Sequence, residues 1–440
     1  MMEKRDTAVD LQFVDRQGHP VERAIPTIAV ARTVMRNMED MEEPIAERHA
    51  RYQALVNSNP PIAPDKLRSL NLGYKTNIDW GEAAAVVQQR SGQHFELFNE
   101  VHSLVEFQSR VFLDEKGVQP RVRWEEIVAE EFTTTLREWT GFLPLMVFLR
   151  READVKDVGV CAWRDEWDWR PVPVERGAFF PSPYAKVDVD TWDICGIADS
   201  YDPYTLLGFA NDPEAATAEG WNVEQVRRLL VDVFVGSMSQ ETERGLDTGH
   251  VSVSRWEQLQ TMIRNNEPSC MSRMFEPIKV RHILVREPKS GRISHLIFST
   301  AVCGEADDFL CQRLDRYERM SQAVFILPAN YGNGYVRGVR GLLADVEGHC
   351  ALSNRYMCDI VDAGRLSGTL MLKNMAGISD PRRLQLVRAG SVTLLPPGVE
   401  ALQASSFAPP LSTMVMVRDL SSSIMRNNTG VFRQMPETWV

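Results

Sequence analysis

The feature that most constrains this chain is a glycine-rich run that opens into one long helical pattern. It begins at Leu327-Pro328, passes through Tyr331-Gly332-Asn333-Gly334-Tyr335, and keeps helical periodicity over residues 336–363. Val339, Leu343, Val346, Cys350, Ser353, Met357 and Ile360 recur at alternating spacings of four and three, which draws one narrow apolar seam instead of a broad core-facing face. Such a seam suits packing against a like helix. At about 1.5 Å per residue, residues 336–363 would span roughly 40 Å, longer than the average globular helix. Gly338, Gly341, Gly348 and Ala344 lie inside it, and each glycine costs up to about 1 kcal/mol relative to alanine. Close approach of a neighbour is what would hold such a helix up.

Downstream, residues 369–372 (Thr-Leu-Met-Leu) and 391–395 (Ser-Val-Thr-Leu-Leu) read as short strands, with Pro396-Pro397-Gly398 as a turn. Helical pattern returns over residues 411–425, with Met414, Val417, Leu420 or Ser421, and Ile424 on one side and Asn427-Asn428-Thr429-Gly430 as the stop. The order is long helix, small β unit, second helix.

That order, introduced by Pro328, Tyr331, Gly332 and Gly334, resembles the portal (head-tail connector) proteins of tailed bacteriophages. The resemblance covers residues 320–430 in detail. Upstream, Val158-Gly159-Val160-Cys161-Ala162-Trp163 and the β-rich run to Ser200 look like wing-domain strands. The resemblance implies an α+β, predominantly helical fold of wing, stem and clip, assembled into a ring. Residues 1–334 would form the wing-like domain, helical over 1–155 and β-containing over 156–334. Residues 335–364 would be the first stem helix, 365–408 the clip-like domain and 409–430 the second stem helix. Residues 431–440 would start a tunnel loop or tail, with the family's crown absent or missing.

By the same resemblance, Arg337, Arg340, Asp345, His349, Arg355, Asp359, Arg418 and Arg426 are candidates for the channel and stem. Tyr331, Gly332 and Gly334 would form the hinge, and Leu370, Leu372, Leu394, Pro396 and Pro397 the clip. The implied function is a DNA channel at one capsid vertex, used for packaging and ejection. Its partners would be further copies of the chain, in a ring of about twelve, double-stranded DNA held without sequence specificity, the terminase large subunit, a head-tail adaptor, and the major capsid and scaffolding proteins. The implied location is the virion, after assembly in the host cytoplasm, with no cofactor, no metal and no enzymatic activity.

Composition agrees with these expectations. A chain of 440 residues, 44% hydrophobic, is long enough for two to four domains with a real core. Its net charge of −11 argues against gripping nucleic acid by neutralising phosphates, which needs a concentrated basic surface. A pore through which a duplex slides needs the opposite. No apolar h-region follows Glu3, Lys4, Arg5 and Asp6, and no stretch reaches the length of a membrane span. Seven cysteines without a CxxC pair read as reduced, mostly buried thiols.

Elsewhere, residues 24–57, 80–113 and 124–150 read as helices, the last with Pro144 as a break or kink. The acidic run Glu39-Asp40-Met41-Glu42-Glu43 reads as a solvated helix face. Helices are expected at 223–235, 253–265 and 307–320. The clearest hairpin joins residues 278–286 to 293–300 through Pro288-Lys289-Ser290-Gly291. His282 and His295 can face each other across it. With Glu287 they suggest a metal site, but two histidines without a third well-spaced ligand favour a plain strand pair.

No P-loop, dinucleotide-binding, nucleophile-elbow or HExxH motif is present. Without a P-loop, a member of a packaging machine would be the channel and not the motor. Two other readings follow from the same residues. One is another virion or assembly ring or scaffold protein. The other is a cytoplasmic carbohydrate-active enzyme using Trp163, Trp167 and Trp169 with Asp165, Glu166 and Asp168, although paired glycosidase carboxylates face each other across a cleft and sequence neighbours seldom do.

Overall fold

A computed structural model describes residues 23–70, 75–100, 104–105, 124–164, 168–234, 251–266, 273–300, 308–367, 371–374, 399–402 and 411–429. The chain opens with helices α1 (Ile28–Val56), α2 (Pro64–Ser69), α3 (Glu82–Glu100), α4 (Trp124–Glu138) and α5 (Phe142–Lys156). Strands β1 (Val158–Ala162), β2 (Val172–Val174), β3 (Phe179–Pro181) and β4 (Ile194–Tyr201) follow, then helices α6 (Pro203–Asn211), α7 (Pro213–Ala218), α8 (Val223–Phe234) and α9 (Val251–Arg264). Strands β5 (Ile278–Arg286), β6 (Ile293–Ser299), β7 (Cys311–Tyr317) and β8 (Val324–Pro328) lead to helix α10 (Leu342–Ser367). Strands β9 (Met371–Asn374) and β10 (Val399–Leu402) and helix α11 (Leu411–Thr429) complete the order. The fold is mixed α+β with antiparallel sheets.

The chain divides into two compact units. One comprises Met1–Glu47, Pro144–Ala153 and Asp157–Val339, the other Arg48–Leu143, Asp154–Lys156 and Arg340–Val440. The first is built on a five-stranded antiparallel sheet of order β3-β4-β5-β6-β7 and a three-stranded sheet of order β2-β1-β8. Strand alternation gives the larger sheet two distinct faces. Ile283, Val285, Leu296 and Phe298 point to one face and are covered by Ala31, Met35 and Met38 of α1. The opposite face carries two apolar clusters. Tyr201, Ile278, Val280 and Ile297 pack with α6 and α8 through Leu206, Leu229 and Leu230, while Cys195, Ile197, Leu284 and Ile293 pack with Val158, Val160, Val324 and Ile326 of the smaller sheet.

Helices α6 and α7 go beyond what periodicity suggests, and Asp-Pro pairs start both. Pro203 and Pro213 occupy the first turns, where a missing N–H costs nothing, and the Asp212 carboxylate accepts from the Ala215 amide at 3.2 Å. The helix expected at 307–320 is instead strand β7. Its register against β6 shifts between Ile293 and His295, and Asp315 takes φ of 50°, so a bulge destroys the two-residue alternation that would have identified a strand. The helix expected over 124–150 is interrupted at 139–141, where the Phe142 amide turns back to the Trp139 carbonyl at 2.9 Å. Pro144 then sits in the first turn of α5, where helices tolerate it.

The acidic run in α1 is not simply a solvated face. Glu42 is buried and accepts from Arg176 Nη2 at 2.8 Å and Arg337 Nε at 3.0 Å. Glu39 holds Arg281 at 2.7 Å.

Candidate functional site

The second unit contains the helical hairpin foreshadowed by the seam. Helix α10 runs into β9, which pairs antiparallel with β10 from Met371 opposite Leu402 to Asn374 opposite Val399, and α11 returns to pack on α10. Leu343, Val346, Cys350 and Ser353 are all buried, but not against the like helix that the spacing suggested. Their cover comes from within the chain: Tyr52, Val155, and Ala83, Val86 and Val87 of α3 form one cluster with Leu342, Leu343, Val346 and Cys350. Burial pushes the Cys350 thiol up to about 12.

Polar side chains fix α10 further. Asp362 accepts from the Thr76 amide at 3.0 Å and its hydroxyl at 2.6 Å, Asn354 accepts from the Trp80 amide at 3.1 Å, and Ser353 donates to Glu82 at 2.9 Å. The helix begins at Leu342 and not at Val336. Residues Val336–Gly338 form a separate short turn, because two glycines in four residues, at 338 and 341, make that stretch poor helix.

On α11, Met414 and Ser421 are buried and Ser421 donates to the His349 carbonyl at 3.2 Å. Sequence spacing left Leu420 and Ser421 as alternatives for that face, and Ser421 takes it. Leu420 lies outward, and Met416, Leu420 and Ile424 form a stripe one turn apart, exposed at 72%, 58% and 36%.

The hinge is a tight loop in the first unit. Gly332 and Gly334 take φ of 48° and 85°, and a Cβ on Gly338 would lie 1.8 Å from Asn333 Oδ1, so a side chain at 338 would have to displace that of Asn333. The Gly334 carbonyl accepts from Val187 and the Val336 amide donates to Ala185, both at 2.9 Å. Tyr331 is 76% exposed.

The sequence-derived channel candidates therefore separate. Asp345 and Arg355 are exposed on α10, while His349 and Asp359 are half-buried there. Arg340 precedes the helix and is exposed. Arg337 also precedes it and donates to the buried Glu42. Arg418 is taken up by the neighbouring Asp419 and by Met357 Sδ at 3.4 Å. Arg426 falls within α11, and Leu372 pairs with Ala401 in the small sheet. Leu370, Leu394, Pro396 and Pro397 lie outside the described residues.

A second constellation sits in the first unit, on the sheet face between its two apolar clusters. His282 lies opposite Ile197 and Ile297, and His295 opposite Leu284, so the histidines are diagonal neighbours. His282 Nδ1 and His295 Nε2 are 2.9 Å apart and both residues are buried. The Tyr201 ring stacks on His282 at 5.9 Å. His282 Nε2 lies 3.7 Å from Asp199 Oδ2, while Asp199 Oδ1 accepts from Arg164 Nη2 at 2.7 Å.

Nearby, the buried Arg313 donates to the carbonyls of Arg164 and Glu219. Burial pulls His282 down to about 4, against the pull of Asp199, and draws His295 well below the ordinary histidine value. Burial also raises the Tyr201 hydroxyl to about 12. The cavity beside this group has a volume of about 500 Å³, with Trp163, Arg164, Val174, Asp199, His282 and His295 among its walls.

Glu287, weighed from sequence as a third metal ligand, is instead held by Arg23 at 3.8 Å and the Ala24 amide at 3.1 Å. Among the described residues no group of three or more metal-binding side chains converges. None of the described helices is long and apolar enough to cross a membrane. Of the tryptophan cluster, the Trp163 indole donates to the Trp169 carbonyl at 3.0 Å, and Trp169 lies under Arg170 at 5.5 Å. Asp165, Glu166 and Trp167 lie outside the described residues.

No protein-family model matches this chain, and no curated protein matches it significantly.

Proposed function

We propose that this chain is a portal subunit, one of a ring of about twelve that forms the channel through which double-stranded DNA enters and leaves a phage capsid. The observation that carries the reading is the hairpin of α10 and α11 with its two-stranded tip. One edge of α11 is spent on α10, while Met416, Leu420 and Ile424 on another edge stay exposed. Three large apolar side chains one turn apart favour a protein partner over water. A closed ring supplies such a partner to every copy at once, leaving no stripe uncovered.

In this reading the stripe meets the neighbouring subunit. Asp345 and Arg355, exposed on α10, are the first candidates for the channel wall. The net charge of −11 suits passage of a duplex over retention. The tip formed by β9 and β10 would face the terminase large subunit during packaging and the head-tail adaptor afterwards, with major capsid and scaffolding proteins around the wing. The chain itself performs no catalysis in this account.

The test is a pair of variants, Leu420→Asp and Met416→Lys, followed by sedimentation velocity and circular dichroism. Ring-sized species should be lost at unchanged helix content. Assembly at the wild-type level in both variants would remove the stripe from the interface and with it the main support for this reading.

A further inference from the structure

The histidine pair in the first unit has no part in the channel reading, and its surroundings are specific. Two nitrogens, His282 Nε2 and His295 Nδ1, are buried without a hydrogen-bond partner, and buried polar atoms are seldom left so. Several charged and titratable groups surround the pair, and Glu175, Lys279 and Arg281 line the adjoining cavity. Asp199 and Tyr201 belong to β4, Arg164 follows β1, and Arg313 and Arg316 belong to β7, with Glu219 held by Arg313.

The carboxylate 3.7 Å from His282 Nε2 favours a proton on that nitrogen. His295 Nε2–H then donates to His282 Nδ1 across the 2.9 Å contact. The bare lone pair of the neutral pair is thus left on His295 Nδ1.

We propose that this pair is an acid-operated latch: one proton bound from solvent makes His282 take the Asp199 carboxylate from Arg164, loosening the seam between the two apolar clusters. The incoming proton adds to His295 Nδ1. The proton between the rings shifts to His282 Nδ1, leaving His282 the imidazolium, doubly protonated and facing Asp199 Oδ2. No electron is transferred and no bond other than N–H is made or broken.

A cation on His282 lies beside Arg164 and Arg313, so it needs the carboxylate more than the half-exposed Arg164 does. Closing the 3.7 Å approach to hydrogen-bond distance pulls Asp199 from its 2.7 Å contact. Arg164 then swings into the adjoining cavity of about 500 Å³, admitting water beside Tyr201 and Ile197.

The experiment is a pH titration of the full chain labelled at histidine Cε1, read by NMR, with resonances assigned through His282→Gln and His295→Gln. The two signals should move together, at lower pH than ordinary histidines. Arg164→Met should raise that midpoint by about one pH unit, because it removes a competitor and a like charge, and Asp199→Asn should lower it by about as much. Amide exchange over residues 278–299, corrected for intrinsic rates, should accelerate at least tenfold on crossing the midpoint. Independent titration near the ordinary value, a common direction of shift in the two variants, no shift in either, or unchanged exchange across the midpoint would each overturn the proposal. Arg164→Met and the wild-type titration keep the test intact where a histidine variant fails to fold.

Discussion

Replacing Glu42 with glutamine removes the buried charge that Arg176 and Arg337 share and tests what Arg337 is for. The Glu42 side chain is 5% exposed and that of Arg176 4%. The carboxylate accepts from Arg176 Nη2 at 2.8 Å and from Arg337 Nε at 3.0 Å. Arg176 also donates to the Phe179 carbonyl at 2.9 Å, but that neutral acceptor does not balance its charge. Removing one partner of a buried ion pair strands the other, typically at about 3–5 kcal/mol. Glutamine keeps one acceptor, so the lower end, about 3 kcal/mol, is expected. At roughly 2–4 °C per kcal/mol for a unit of this size, the apparent Tm should fall by roughly 6–12 °C.

Scanning calorimetry at one fixed scan rate measures this directly. The double variant Glu42→Gln with Arg176→Met removes charge and countercharge together and should recover most of the loss, since buried pairs replaced by apolar groups are often neutral. A single-variant Tm within about 2 °C of wild type, or a double variant no better than the single, would show that the Glu42 charge does not hold Arg176. It would also reopen Arg337 as a residue free to face a channel.

Other expectations are independent of this one. Gly338→Ala should destabilise the hinge by about 1–3 kcal/mol, because its Cβ would fall 1.8 Å from Asn333 Oδ1, and chemical denaturation should show partial rescue by Asn333→Gly. Burial pushes the thiols of Cys161, Cys195 and Cys350 up to about 12 and that of Cys311 up to about 11. Mass spectrometry after brief alkylation should therefore find the half-buried Cys358 modified before these four. For the histidine pair, the unfolded chain holds more protons than the folded one between about 6.5 and 4 for His282. Stability should thus be full above that window and fall as pH drops through it, by up to about 1.4 kcal/mol per pH unit per histidine, as chemical denaturation at stepped pH would measure.

Much of this fold was legible wherever a segment's pattern answers to its own neighbours. The β5–β6 hairpin announced itself because alternation and turn chemistry agree over one short stretch. The seam from Leu343 to Ser353 is buried, yet spacing gives no identity to the cover, and that cover includes α3 from far upstream. What sequence reading missed was decided by tertiary context. The Asp315 bulge hid β7, whereas α6 and α7 carry a local mark in their Asp-Pro starts. Glu42 looked like part of a solvated run until Arg176 and Arg337 arrived from distant segments. His282 and His295 were visible as a strand pair, but Asp199 and Arg164 join them only because β4 pairs with β5.

In the proposed function this chain closes into a ring. Negative-stain electron microscopy of the purified full chain, with mass photometry on the same sample, tests it most directly. Closed rings of about twelve copies with an axial hole wide enough for a duplex are the expected result. A monomer or dimer that persists at high concentration, or an open tube, would contradict it.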